Sequence, residues 1–338
     1  MAINLTTKYA STIEKLYTHT SFLRAHCKAN VEMTGAKTCR VYMLNTTPVV
    51  DYTRNGNSRY GEVKDVQDTV VEYMMTQDKS FTGVVDKGDE SEQAISNKSG
   101  QWLRQQIAEQ CVPTGDKYGF ARIAKLGHIA GVTAEPTKST IVTMVYDAAT
   151  YMDEHLVPEN GRVLFVRAKD YPKIILSDEW HGLDSLAGKQ LPTGTVGQIA
   201  GFTVVKVPSN MFPTDVYMVA AQESALAFPY RINDTKIHQD PPGISGALIE
   251  GRQTYDLFVL ASKADAVVVI GKDGSKQACT VAIASHSATV TAAGADEIWY
   301  TLDGSDPRFS ANRKTVASGG TVATEAGQTI KVVAFGKG

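Results

Sequence analysis

The apolar positions in the first half of the chain follow helical spacing. Leu103, Ile107 and Cys111 form one stripe, and beyond Pro113 the spacing resumes as far as Leu126. Residues three or four positions apart lie on one face of a helix, and a proline interrupts its hydrogen bonding. We therefore predict a long helix that is bent near Pro113.

A second helix is predicted from Thr137 to Leu156, and beyond it the pattern changes to short apolar runs separated by glycine and proline. The run RVLFVRAKDYPKIILS, which begins at Arg162, is typical of a strand followed by a short helix. Strand-like runs then continue as far as Ile270. Helices followed by mixed elements predict a fold of the α+β class.

The N-terminal residues show a weaker helical pattern. Ile13, Leu16, Tyr17 and Phe22 fall near helical spacing, which predicts a helix over residues 11–29. Its apolar face is thin, and such a helix usually completes its burial against another part of the chain or another subunit. We interpret the segment as an arm.

Residues 38–89 alternate β-forming and charged positions, and Asn55-Gly56 supplies a favoured hairpin turn. The pattern predicts a long two-stranded arm with too few apolar residues for a core of its own. Charges of both signs are typical of a solvated ribbon, and in an assembly they would also pair with a neighbouring subunit. The candidate contact residues are Arg54, Arg59, Tyr60, Glu62, Lys64, Asp65 and Asp68.

The composition shifts near Ser275. The turn-rich stretch GKDGSKQ begins at Gly271, and beyond it alanine, threonine, serine and glycine dominate short alternating strands up to Gly338. Short strands at regular spacing with turn residues between them are typical of a small β-sandwich. We therefore predict a separate C-terminal domain over residues 275–338.

Charge and composition narrow the classes of function. The 338 residues include 34 basic and 36 acidic side chains without a basic run, so sequence-specific nucleic-acid binding is not predicted. No apolar stretch approaches about 18 residues, so no membrane partner is expected. The first residues lack the basic and then apolar pattern of a signal peptide. The cysteines form no CxxC pair, and we interpret them as reduced, buried thiols. They are Cys27, Cys39, Cys111 and Cys279.

No pattern of residues indicates catalysis, a cofactor or a metal ion. GTVGQIAG, at residues 194–201, lacks the spacing of a phosphate-binding loop and precedes a strand-like run. No nucleophile elbow or zinc-protease pair occurs. Asp303 and Asp306 would be calcium ligands only with an alternating run of oxygen donors, which is missing, so capping of turns is favoured. The sequence therefore predicts a protein that is not an enzyme and needs no cofactor.

Several of these segments, in this order, resemble the major capsid proteins of tailed bacteriophages with the Hong Kong ninety-seven-type fold. The charged hairpin resembles the extended loop of that family, and CVPTGDKYGFARIA, at residues 111–124, resembles the continuation of its spine helix. RVLFVRAKDYPKII and GTVGQIAGFTVVKVPSNMFP resemble parts of the axial domain. VYMVAAQESALAFPYRINDTKIHQD and QTYDLFVLASKADAVVVI resemble strands that return to the peripheral domain. The resemblance covers roughly residues 1–270 and rests on collinear order.

A second resemblance concerns EIWYTLDGSDPRFS, at residues 297–310. It is similar to a signature of small immunoglobulin-like modules that end chitobiase-type glycosidases and occur on phage structural proteins. Alternation along a strand places Trp299 and Tyr300 on opposite faces, so that one of them is available to a small core. Turns are predicted at Asp303-Gly304 and at Asp306-Pro307. The resemblance implies a module on the outer surface of a shell.

Together the resemblances imply six segments. They are an N-terminal arm over 1–37, an extended loop over 38–89, a spine helix with peripheral domain over 90–161, an axial domain over 162–228, returning peripheral strands over 229–270 and an immunoglobulin-like module over 275–338.

The implied function is that of a self-assembling coat protein of an icosahedral head. Its copies would form hexamers and pentamers, and the shell would enclose double-stranded DNA without sequence-specific binding. Other implied partners are scaffolding, portal and decoration proteins, and the implied location is the virion after assembly in the cytoplasm of a bacterial host. The alternatives are a secreted or surface carbohydrate-binding protein, which the C-terminal motif alone suggests, and an intracellular α+β enzyme.

Overall fold

A computed structural model describes residues 20–34, 37–44, 47, 49–52, 54, 59–62, 65, 68–86, 99–177, 195–272, 279–310 and 312–336. Within these ranges short strands are combined with four α-helices, so the predicted α+β class is confirmed. The helices are α1 (Ser99–Gln106), α2 (Val112–Leu126), α3 (Ile141–Glu154) and α4 (Tyr171–Ile175), with a π-helical turn at Ile107–Cys111. The 3-10 helices are Arg24–His26, Ser209–Met211, Glu223–Ala225 and Ala261–Ala266.

The strands form six sheets of two to six strands in the described ranges. The first ten strands are β1 (Glu32–Met33), β2 (Thr38–Leu44), β3 (Asp68–Met74), β4 (Gln77–Asp86), β5 (His128–Val132), β6 (Arg162–Arg167), β7 (Thr195–Ile199), β8 (Phe202–Val207), β9 (Val216–Gln222) and β10 (Leu226–Ala227). The others are β11 (Tyr230–Gln239), β12 (Gly246–Tyr255), β13 (Phe258–Val259), β14 (Val267–Lys272), β15 (Thr280–Ala284), β16 (Ser287–Thr291), β17 (Ala295–Thr301), β18 (Lys314–Val316), β19 (Gly320–Ala323) and β20 (Lys331–Gly336).

The largest sheet has the strand order β5-β14-β9-β6-β8-β7 and is covered on both faces. On one face, Val163 and Phe165 of β6 pack in a cluster with residues of α2. On the other face, Leu164 and Val166 pack in a cluster with residues of α3. Because both faces are buried, the strands β6 and β9 are apolar without alternation between their polar ends, Arg162, Arg167 and Gln222.

The helices lie close to their predicted positions. Pro113 lies in the first turn of α2, and the helix runs into it from the π-helical turn, because Cys111 and Val112 also have helical backbone angles. Val112 N donates to the carbonyl of Ile107, five residues back, directly before the proline that lacks an N–H. Helix α3 begins at Ile141, later than predicted, because Thr137 and Thr140 form a turn closed by a hydrogen bond from Thr137 N to Thr140 Oγ1. Within residues 20–29, only Arg24–His26 is helical, so the described part of the N-terminal segment differs from the predicted helix.

The predicted arm over residues 38–89 contributes to two separate sheets. Strands β2 and β3 pair with each other, whereas all ten residues of β4 pair with β12 in the sheet β11-β12-β4. Glycines allow this packing: a Cβ atom added at Gly83 of β4 would lie 2.5 Å from the Trp102 ring of α1, and one added at Gly251 of β12 would overlap the Phe81 ring. The turn predicted at Asn55-Gly56 lies outside the described residues.

The segment predicted to return to a peripheral domain, residues 229–270, also contributes to two sheets. Strands β11 and β12 pair with each other and with β4, but β14 joins the largest sheet between β5 and β9. Strand β5, which the sequence assigns to the spine and peripheral segment, is therefore an edge strand of the largest sheet. Pairing between strands more than 130 residues apart leaves no local mark in the sequence.

The C-terminal residues form two three-stranded sheets, β15-β16-β19 and β18-β17-β20. A small apolar core lies between them, and both sheets contribute buried side chains to it. Its buried members are Val290, Ala292, Ile298, Val322 and Ala334. We call the described residues 279–310 and 312–336 the C-terminal module.

Candidate functional site

The hairpin of β2 and β3 has one inward and one exposed face. Cys39 and Val41 of β2 are buried. On the opposite face, Tyr42 and Val70 face each other across the two strands, and 59% and 46% of their surfaces are exposed. Two large apolar side chains that lie directly opposite each other on paired strands and remain exposed form a candidate contact surface for another molecule.

The described residues between β2 and β3 are exposed, except Gly61, which is half-buried. Tyr60 is 85% exposed, and its ring contacts the Tyr52 ring edge-on with 5.1 Å between centroids. Val49 is fully exposed. Of the charged residues predicted here, Lys64 lies outside the described residues and Asp68 begins β3 opposite Leu44. Arg54, Arg59, Glu62 and Asp65 of the predicted set are exposed.

A buried carboxylate fixes the root of this hairpin. Asp256 is fully buried and accepts hydrogen bonds from Thr76 N (2.9 Å), Thr76 Oγ1 (2.8 Å), Tyr118 Oη (2.9 Å) and Leu257 N (2.8 Å). The guanidinium of Arg122 lies 3.9 Å away. Thr76 joins β3 to β4, and Tyr118 belongs to α2, so one side chain links the hairpin to that helix. Burial raises the pKa of Tyr118, which keeps its hydroxyl a donor.

The N-terminal segment attaches to the opposite side of α2. Asp116 accepts hydrogen bonds from Ser21 Oγ (2.6 Å) and Phe22 N (2.8 Å), and Leu23 is fully buried. Gly119 makes room for Leu23, because a Cβ atom at position 119 would overlap its side chain. Burial raises the pKa of Asp116, although both hydrogen bonds oppose the rise.

A second attachment of this segment uses Glu223, which follows β9. Its carboxylate lies 2.7 Å from His26 Nδ1 and 2.6 Å from Lys28 Nζ, and Lys28 N donates to the carbonyl of Glu223 at 2.9 Å. Burial alone would raise the pKa of Glu223, but the hydrogen bonds and charges of Lys28 and His26 outweigh burial and hold it below its usual range.

This attachment predicts an effect of pH. The folded pKa of Glu223 is lower than its ordinary value of 4.5, so its carboxylate stabilises the attachment above pH 4.5 and the contribution is lost as the pH falls through the folded pKa. Asp116 has the opposite effect on stability. Because its folded pKa is raised, its contribution is lost as the pH rises. We expect Glu223→Gln to reduce the hydrogen-exchange protection of the Lys28 and Ala29 amides at pH 7 and to flatten its decline toward pH 4.

The matched control for this prediction is Glu325→Gln, at an exposed glutamate of the C-terminal module. Its exchange profile should follow that of the unmodified chain. Equal protection of Lys28 and Ala29 in both variants would contradict a role of Glu223 in holding the segment.

The residues of the C-terminal motif face two different cores. Tyr300 packs against the small core between the two sheets of the module. Trp299 is only 4% exposed and packs in the main cluster, with its ring 4.5 Å from that of Phe335. The sequence predicts that one of the two aromatic residues enters a small core, but not that the other packs against the rest of the chain.

The two aspartates of the motif shape successive turns. Asp303 accepts hydrogen bonds from the backbone and hydroxyl of Ser305, and Gly304 has a φ of +75°, which glycine adopts without strain. Asp306 accepts from Arg308 N at 2.9 Å, and Pro307 lies between them buried. Both carboxylates are therefore occupied by donors from the chain itself, which favours turn capping over a calcium site.

Solved structures with the same fold exist, although no protein-family model and no curated protein matches the chain. A structure titled for Mycobacterium phage Che8 is 20% identical, covers 80% of this chain and 98% of its own, and has a TM-score of 0.61. The capsid structure of Cyanophage P-SCSP1u is 13% identical, with coverage of 80% and 93% and a TM-score of 0.62. The mature capsid of bacteriophage PhiM1 is 13% identical, with coverage of 79% and 92% and a TM-score of 0.59. The chain has the fold of phage capsid proteins.

Sequence reasoning finds only part of the candidate site on this capsid fold. It identifies the charged residues of the hairpin but overlooks Val49 and Tyr52, although VVDY is a short β-forming run with an aromatic residue. It also overlooks Asp256, for which a signal exists: a single carboxylate between apolar strands, in YDLFV, must find buried donors.

Two further observations concern metal ions and membranes. Across the described ranges, no three His, Cys, Asp or Glu side chains converge as a metal-binding group would. In the same part of the chain, no helix has both the length and the apolar character needed to cross a bilayer.

Proposed function

We propose that the chain is the major capsid protein of a tailed double-stranded DNA bacteriophage. The observation that carries the proposal is the match of the fold over about four fifths of the chain to structures whose titles name phage capsids. Copies of the chain assemble through hexamers and pentamers into an icosahedral head of the Hong Kong ninety-seven type.

The largest sheet with α3 serves as the axial domain in this proposal, and α1 and α2 with the sheet β11-β12-β4 serve as the spine helix and peripheral domain. The hairpin of β2 and β3, with residues 45–67 between the strands, is the extended loop. Its exposed apolar side chains, such as Tyr42 and Tyr60, lie on a neighbouring subunit, and the charged residues around them set register and partner choice. Many such contacts of modest strength stabilise a closed shell together.

The other partners are proposals of the same kind. Scaffolding, portal and decoration proteins act during and after assembly in the host cytoplasm, and the finished head encloses DNA without gripping particular sequences, in keeping with a formal net charge of −2. The C-terminal module is immunoglobulin-like, as its motif and its two sheets around a small core suggest. A carbohydrate-binding role is not favoured, because the buried Trp299 is unavailable as a stacking platform for sugars.

Electron microscopy of the purified or co-expressed protein tests the proposal. We expect closed shells or hexameric rings of the full-length chain. A monodisperse monomer under the same conditions, whether or not it binds chitin-like sugars, would contradict the capsid function. Co-expression with neighbouring genes of the phage genome supplies a scaffolding protein if assembly needs one.

A further inference from the structure

One face of the C-terminal module is buried against the rest of the chain. Trp299 of β17 and Phe335 of β20 are 4% and 3% exposed, and both belong to the main cluster that also contains Leu126 at the end of α2. Val333 of β20 packs against the same cluster. Burying two aromatic rings removes a large apolar area from water, so this face contributes more than incidental contact.

A guanidinium group completes the contact at the end of α2. Arg308 Nη1 donates to the carbonyl oxygens of Leu126 (3.2 Å) and Gly127 (3.4 Å). The last carbonyls of a helix have no intrahelical partner, and the C-terminus of a helix carries partial negative charge. A cation that donates there supplies the missing hydrogen bonds and a favourable charge. The module thus supplies a cap to a helix that lies about 180 residues earlier in the chain.

Asp306 holds this guanidinium in place. Its carboxylate accepts from Arg308 Nη2 at 2.6 Å and from Nε at 3.0 and 3.1 Å. Such a two-point contact fixes the plane of a guanidinium group, which a lysine ammonium cannot reproduce. The remaining Nη1 is then directed at the carbonyls of α2.

A second polar contact satisfies the buried indole. Trp299 Nε1 donates to Glu297 Oε1 at 2.7 Å, and Lys125 Nζ of α2 donates to Glu297 Oε2 at 3.3 Å. Burial alone would raise the pKa of Glu297, but these two partners outweigh burial and lower it. The carboxylate therefore stays charged between the module and the helix.

Helix α3 is capped by backbone groups of the residues that directly follow it. Leu156, at a φ of +56°, donates its N–H to the carbonyl of Asp153 (3.0 Å), and Val157 N donates to the carbonyl of Met152 (2.9 Å). The cap of α3 is local, whereas the cap of α2 depends on the presence of the C-terminal module.

We infer that Asp306, Arg308 and the face formed by Trp299, Val333 and Phe335 are an intramolecular docking site through which the C-terminal module braces the end of α2. The module is an integral part of the subunit and not a free appendage on a tether. Its motif residues are used for turns and docking, not for a ligand. This inference goes beyond the proposed capsid function and holds whether or not the chain forms shells.

Hydrogen exchange of the full-length chain tests the docking site. In Arg308→Ala we expect the amides in the last turn of α2, Ala124 to Gly127, to exchange about tenfold faster or more, because charge-assisted hydrogen bonds that close the helix end are lost. The amides of β17 that pair with β20 should keep their protection, since they lie inside the module. Asp306→Asn should give a smaller increase at the same amides.

The matched control is Lys331→Ala, at an exposed cation on β20 of the same module. It should leave the exchange of α2 unchanged. The inference is overturned if Arg308→Ala behaves like this control. It is also overturned if Arg308→Ala raises exchange equally in α2, β17 and the largest sheet, because that result would reflect global stability and not a local brace.

Discussion

Replacement of residues 45–67 by an Asn-Gly turn is expected to yield a folded subunit that no longer forms shells. Leu44 and Asp68 are paired across β2 and β3, so a two-residue turn can close the hairpin there without changing its register. The change removes the exposed Val49, Tyr52 and Tyr60, which can gain burial only on another molecule. Sedimentation velocity and electron microscopy measure the loss of assembly, and thermal unfolding checks the fold.

Two paired substitutions separate the apolar residues of the loop from its charges. Tyr52→Ser with Tyr60→Ser should abolish most assembly, whereas Arg54→Ser with Arg59→Ser should mainly slow it and change its dependence on salt. Normal shells from the shortened loop, with the subunit folded, would refute the role of the extended loop as an intersubunit contact.

Substitution of Asp256 by alanine is expected to lower the free energy of unfolding by about 3–5 kcal/mol. The change strands the buried donors of Thr76, Tyr118 and Leu257 and removes the carboxylate nearest Arg122. Urea denaturation of the full-length chain measures the loss, with the slope of the transition checked for two-state behaviour.

Tyr118→Phe provides the control for this prediction, because it removes one of the four hydrogen bonds and keeps the ring. It should cost about 1 kcal/mol. A loss in Asp256→Ala no larger than that of Tyr118→Phe would contradict the interpretation of Asp256 as the link between the hairpin and α2.

Local patterns predicted several elements, such as α2 and β6, but not which elements pair with one another. The run from Arg162 predicts β6 and α4 because a continuous apolar strand, a turn and an early proline are each encoded within a few residues. The pairing of β4 with β12 is different, since its two strands are about 170 residues apart and each would fit several neighbours. For the same reason, the sequence does not show that Asp256 accepts hydrogen bonds from Thr76 and Tyr118, which lie far away in the chain.

The candidate site was predicted unevenly for similar reasons. Charges in the hairpin are easy to recognise, but the exposure of Tyr42 and Val70 depends on which face of the paired strands meets the core. The turn at Asp303-Gly304 is local and was predicted correctly. Alternation places Trp299 and Tyr300 on opposite faces, yet it cannot say which face meets the module core and which meets α2. The contact residues themselves remain proposals.

The packing of Gly83 against Trp102, described above, has a consequence for sequence divergence. The indole of Trp102 fills the space that any side chain at position 83 would need. A mutation to a larger residue at 83 is therefore tolerated only with a smaller residue at 102, so the two positions should covary across natural relatives. The same coupling should link Gly251 with Phe81, and a chain that loses both rings should be free to lose both glycines.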